Sequence, residues 1–222
     1  MRAEGESFEK RLKRYVDNPA IDTLGWMTMY LQNQPVAELR RAREEKFYFC
    51  VYLLAHSVIQ TVSELMFDKT GLDGTQFFLE QFADGASADR KFSLIAKDVH
   101  EVRNIVAHRA YSKRQHDTQY FIDDIVEGWR RDTDGTLVIN PALYSLQIEN
   151  VFRTGKLYAT FQKQSPVQLL RLKYKFIRQW VELDNADPIS ASIKALDKLR
   201  ADADLDTEDK SIQSAIYNRY GL

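Results

Sequence analysis

The sequence predicts a mainly α protein, a helical bundle with a small β-hairpin insertion and a C-terminal helical arm. Three observations carry that expectation. Only nine glycines and five prolines punctuate 222 residues. The stretches between them place apolar residues at three- and four-residue spacing, the signature of a helix with one buried face. A single segment around Thr133-Asp134-Gly135 breaks that rhythm, with β-branched and aromatic residues on both sides of a turn.

A first helix is expected from about Phe8 to Asp17, closed by Asn18-Pro19, and a second from about Ile21 to Gln32, closed by Pro35, because the residue before a proline is pushed out of helical geometry. From Pro35 to Lys69 the pattern reads as one long helix. Pro35 suits a first helical position, Leu39 to Glu45 is polar, and Phe47 to Met66 is apolar enough to demand burial. A short helical piece, Thr75 to Phe82, leads through Asp84-Gly85 to Ser87, read as the N-cap of a helix running to about Ser112. Tyr120 to Val126 is aromatic and β-branched, and Trp129–Asp132 and Thr136–Ile139 flank the turn, so the hairpin insertion covers about 119–140. Asn140-Pro141 returns the chain to helix, and Ser165-Pro166 opens the last core helix, which buries Leu169, Leu170, Leu172, Phe176, Ile177 and Trp180 on the way to Asp184. Beyond Asp187-Pro188, the weaker patterns Ile189–Ala201 and Lys210–Tyr220 form the arm, about 188–222. The acidic run DADLDTED between them reads as a solvated linker. One domain over 1–222 is expected, with its bundle core at about 35–184.

With 44% hydrophobic and 28% charged residues the chain is an ordinary globular sequence, too apolar for disorder. Its net charge of -1 removes the basic excess needed to grip long duplex nucleic acid, so any nucleic-acid contact is local. The N-terminus MRAEGESFEKRLKRYV lacks the apolar core of a signal peptide, and no run of about 18 apolar residues is free of charge, so no membrane span is expected. The one cysteine, Cys50 in FYFCVYLL, reads as a buried small hydrophobe in a reducing compartment, the cytoplasm.

Chemistry concentrates between His100 and Tyr111. Phe92, Ile95, Val99, Val102 and Val106 define the stripe that packs inward. His100, Arg103, Asn104, Ala107, His108 and Tyr111 are also three and four apart, and share a face rotated by about 100° from it. That face offers a permanent cation, an amide, two imidazoles and a phenol. A guanidinium fits phosphate as a bidentate fork, and an imidazole exchanges protons near neutral pH, a combination suited to phosphodiester chemistry. The basic stretch His108-Arg109 to Lys113-Arg114, with Tyr111 and Tyr120, is read as guiding a single RNA strand by phosphate contact and stacking; a solvated helix end accounts for the same charges.

Arg103-Asn104-Ile105-Val106-Ala107-His108 resembles the R-x4-H motif of the HEPN superfamily, with the polar residue that commonly follows the arginine. The resemblance implies an up-and-down helical bundle, a homodimer with the site at its interface, and metal-independent endoribonuclease activity in toxin or phage-defence systems, with an antitoxin or regulatory protein as partner. It makes Arg103 the phosphate-binding, transition-state-stabilising cation and His108 the proton-transfer residue. Asn104 becomes an orienting or RNA-contacting group. In antitoxin-modified members a tyrosine stands two residues after the histidine, whereas here Arg109-Ala110 precede Tyr111. The motif covers six residues, and the bundle pattern extends the likeness over about Pro35 to Asp184.

No cofactor or metal is expected: there is no phosphate loop, His-Glu-x-x-His motif, nucleophile elbow or cysteine pair. Asp202, Asp204 and Asp206 imitate the start of a calcium loop, but Thr207 replaces the glycine and Gln213 the glutamate. The sequence therefore leaves two functions open: RNA cleavage by Arg103 and His108 with Asn104, Arg109, Tyr111, His100, Lys113 and Arg114 as substrate contacts, or a non-catalytic HEPN-like module that uses the same face for dimerisation, partner or RNA binding.

Overall fold

Capping side chains start the helices much where the sequence places them. The computed structural model describes residues 6–109, 114–115, 118–184, 186–199 and 204–222, with the backbone alone at 105–109, 114–115 and 118–121. In chain order the helices are α1 (Phe8–Asp17), α2 (Ala20–Asn33), α3 (Pro35–Glu44), α4 (Tyr48–Phe67), α5 (Gly71–Phe78) and α6 (Ala96–Arg109). Four short strands follow, β1 (Arg114–Gln115), β2 (Thr118–Ile122), β3 (Trp129–Arg131) and β4 (Leu137–Ile139). The chain then continues as α7 (Pro141–Arg153), α8 (Lys156–Phe161), α9 (Pro166–Trp180), α10 (Pro188–Ala195) and α11 (Leu205–Tyr220). Ser7, Asn140 and Ser165 accept the amides of Lys10, Leu143 and Gln168 and so satisfy donors that α1, α7 and α9 would otherwise leave unpaired. The protein is thus mainly helical, in keeping with a helical bundle that carries a small β-hairpin, and its C-terminal helices α10 and α11 pack with α1 and α9.

The segments gather into two compact units, one formed by residues up to Met27 with Tyr158–Leu222, the other by Thr28–Leu157. The single core outlined over about 35–184 is therefore shared out: α9 packs with α1, α10 and α11, while α3 to α7 pack with one another. Helical periodicity marks a face for burial but carries no information on what buries it.

In the first unit Leu12, Tyr15, Val16, Tyr174, Phe176, Ile177, Ile193, Ile212 and Ile216 are buried. The Tyr15 ring meets Phe176 and Trp180 edge-on at 5.3 and 5.1 Å. Lys173 is buried there and pairs with Asp209 at 3.2 Å, and the Tyr174 hydroxyl donates to the same carboxylate. Burial lowers the Lys173 pKa and raises that of Tyr174. The acidic run is thus no solvated linker from Asp204 onward. Asp204 caps α11 by accepting the Thr207 amide at 3.2 Å, and Asp206 and Glu208 sit in its first turn, where the helix dipole favours negative charge.

The second unit centres on α4, whose Val51, Tyr52, Ala55, Val58, Ile59, Val62 and Leu65 are buried among α3, α5, α6 and α7. By length and composition alone α4 is apolar enough to cross a membrane; here it is the central helix. The expected continuous helix over Pro35–Lys69 is broken after Glu44. Lys46 adopts φ +58°, its amide donates to the Arg43 carbonyl at 3.1 Å, and the Phe47 amide donates to Ala42 at 2.8 Å. This is a Schellman-type helix end with lysine where glycine is usual, so the glycine that signals a stop is missing from the sequence. The break also overturns the reading of Cys50. It lies in the first turn of α4 and is exposed, beside Phe47 at 60% and Phe49 at 51% exposure, and it lines a cavity of about 390 Å³ with Lys46, Phe47, Tyr48, Phe49 and Ile122.

Ser87 does not begin the long helix. Two 3-10 turns, Ala88–Arg90 and Phe92–Ile95, intervene, Asp84 accepts the Ser93 amide at 3.1 Å, and α6 starts at Ala96. The expected far end of that helix, 110–112, falls outside the described residues. The hairpin forms as β3 and β4, with Arg130 opposite Val138 and Gly135 at φ +84° in the turn. The aromatic segment adds what the sequence did not indicate: β2 pairs with β4 in parallel, giving the order β1-β2-β4-β3.

Candidate active site

Helices α4, α5 and α6 bring together five polar side chains. Val99 and Val102 are buried and fix the rotation of α6, and Phe92 and Ile95 of the preceding 3-10 turn are buried with them. His100, Arg103 and Asn104 then fall on its half-buried flank. From α4, His56 faces the same place: it is 9% exposed, and its ring lies 5.2 Å from that of His100, tilted by 59°. From α5, the Thr75 hydroxyl oxygen lies 3.4 Å from His100 Nδ1.

Thr75 is held in turn. Its hydroxyl contacts the Gly71 carbonyl at 3.0 Å and Gln60 Nε2 at 3.2 Å, and Gln60 closes a two-way pair with the Gly71 backbone at 2.6 and 2.9 Å. Gly74 allows α5 to come this close, since a β-carbon there would stand 2.8 Å from the Lys69 carbonyl oxygen, and Ser63 donates to the Gly74 carbonyl at 2.9 Å.

Burial and the nearby cation disfavour the charged form of both imidazoles. Burial is the largest cause for His56, followed by the Arg103 charge and His100, and together they pull its pKa down to about 4. His100 is also lowered, by burial first and Arg103 second, against an opposing pull from Glu101. Arg103 donates through Nη1 to Asn104 Oδ1 at 2.6 Å, and no carboxylate among the described residues forms an ion pair with it. Among the described residues the result is a guanidinium without a carboxylate partner beside two imidazoles that favour the neutral form, an arrangement able to bind an anion and exchange a proton next to it.

Of the residues read from sequence, the structure gathers His100, Arg103 and Asn104. His108 and Arg109 occupy the last turn of α6, with His108 about 7.5 Å along the axis from Arg103, but their side chains lie outside the described residues. Tyr111 and Lys113 lie outside them altogether, and Arg114 is described only as backbone in β1. His56, Thr75 and Gln60 were missed. The available signal was a histidine inside the apolar run of α4, since a buried polar group needs a partner. No cluster of three or more His, Cys, Asp or Glu side chains suited to a metal occurs among the described residues. Comparison of the chain with protein-family models, curated proteins and solved structures gives no match.

Proposed function

We propose that the protein is a cytoplasmic, metal-independent endoribonuclease of the HEPN type, working as a homodimer in a toxin or phage-defence setting under the control of a partner protein. The observation that supports this reading most is the Arg103 guanidinium, which among the described residues is bonded to a neutral amide and lies near imidazoles instead of carboxylates. A structural arginine at this depth is normally matched by a carboxylate, as Arg40 and Arg43 are by Glu149 at 2.8 Å each.

Cleavage uses the RNA 2′-hydroxyl as nucleophile. Its oxygen attacks phosphorus, the bond to the 5′-oxygen breaks, and a 2′,3′-cyclic phosphate and a 5′-hydroxyl remain. Arg103 binds the phosphate and offsets the charge that builds on the phosphorane oxygens, and Asn104 holds the guanidinium in place. His108 transfers a proton. Arg109, Tyr111, Lys113 and Arg114 contact the strand.

Arg103→Ala is expected to lower cleavage by about 10²–10³-fold and His108→Ala by about 10²–10⁴-fold, both with a cooperative thermal transition like that of the wild type. Loss of that transition in Arg103→Ala would mean that the residue holds the fold together. A folded wild type without cleavage would favour the non-catalytic module, a reading to which the exposed Phe47 and Phe49 lend weight.

A further inference from the structure

Gln60, Thr75 and His100 form a chain of contacts that runs from the Gly71 backbone to the imidazole. The Thr75 hydroxyl has one proton and gives it to the Gly71 carbonyl at 3.0 Å. Its oxygen is then only an acceptor, and it takes a hydrogen bond from Gln60 Nε2 at 3.2 Å. The orientation of that amide is set by the Gly71 backbone, whose N–H donates to Gln60 Oε1 and whose carbonyl accepts from Gln60 Nε2. The remaining contact at the Thr75 oxygen is His100 Nδ1, at 3.4 Å. With the Thr75 proton on the Gly71 carbonyl, the Thr75 oxygen accepts from Nδ1, and neutral His100 in that arrangement carries its lone pair on Nε2.

We propose, resting on the ribonuclease reading, that His100 is the general base of the site and takes the 2′-hydroxyl proton on Nε2, with Thr75 and Gln60 as positioning residues. His100 and Arg103 are three apart on α6, which puts the base one turn from the cation that binds the phosphate. The His56 ring packs against His100 and limits its rotation. Among the described residues, the groups beside His100 are His56 from α4, Thr75 from α5, and Arg103 and Glu101 on α6; burial and Arg103 outweigh Glu101 and favour the neutral imidazole, the form that accepts a proton.

The step balances. The 2′-proton moves to His100 Nε2 as the 2′-oxygen bonds to phosphorus. His108, protonated, gives its proton to the departing 5′-oxygen as that bond breaks. Exchange with water then restores both histidines. The sequence pointed to His100 but not to this role, because Thr75, which faces its Nδ1, comes from α5, more than twenty residues away.

The test is single-turnover cleavage of an RNA pool in chelator between about pH 5 and 8, for wild type, His100→Ala, His100→Gln and Thr75→Val, with the nitrogen-15 spectrum of His100. His100→Ala is expected to slow cleavage about 10²–10⁴-fold, to lose the fall in rate toward acid pH, and to regain rate with added imidazole. Thr75→Val should cost about tenfold, and the spectrum should show the proton on Nδ1. If His100→Ala unfolds, His100→Gln carries the comparison. An active wild type with His100→Ala or His100→Gln unchanged in rate and pH profile overturns the assignment and leaves the ribonuclease reading standing, as does a proton found on Nε2. An inactive wild type overturns both.

Discussion

At the scale of single residues, His56 couples the site to stability. Its pKa of about 4 in the folded protein lies below the ordinary 6.5, so between those values the unfolded chain binds more protons. Stability is full above about pH 6.5 and falls as pH drops toward 4, by up to about 3 kcal/mol, with His100 adding in the same direction. Denaturant unfolding at pH 7 and 5 is expected to show about 2 kcal/mol of this loss in the wild type and a smaller one in His56→Gln; equal losses would place the titration elsewhere. Arg103, Asn104 and His100 were legible in the sequence because they share one face of one helix, where spacing alone brings side chains together. His56 and Thr75 were not, since they reach that face from other helices, and spacing along the chain says nothing of contacts between helices.

At the scale of elements, the helix starts were legible where a capping side chain and a proline coincide, as at Asn140-Pro141 and Ser165-Pro166. The stop between α3 and α4 was not, because it depends on Lys46 in a left-handed conformation. Lys46→Gly is expected to stabilise the protein by about 0.5–1 kcal/mol, since relief of the strained backbone outweighs the exposed bridge from Lys46 to Asp124 at 2.9 Å. A lower melting temperature would show that the side chain matters more than the backbone. Gly74→Ala should act in the opposite direction. The added methyl meets the Lys69 carbonyl, and the shift of α5 is expected to cost about 1–3 kcal/mol and to slow cleavage by moving Thr75. The parallel pairing of β2 with β4 had no local signal, because strand partners distant in sequence are chosen by tertiary packing.

At the scale of the molecule, the mainly helical class followed from periodicity, but the division of the helices between two units did not, because an amphipathic stripe is silent about its partner. The net charge of -1 keeps any RNA grip local, so few phosphates are neutralised. The plot of log affinity against log salt is therefore expected to be shallow, and Arg103→Ala should reduce its slope by about 0.7, the share of one phosphate on a single strand. An unchanged slope would remove Arg103 from the phosphate. The most direct test of the central claim is the end chemistry of a mixed RNA pool treated in chelator with wild type, Arg103→Ala and His108→Ala. Cyclic 2′,3′-phosphate ends with wild type, lost in both variants while each stays folded, are the predicted result; intact RNA with a folded wild type, or cyclic ends undiminished in the variants, would contradict it.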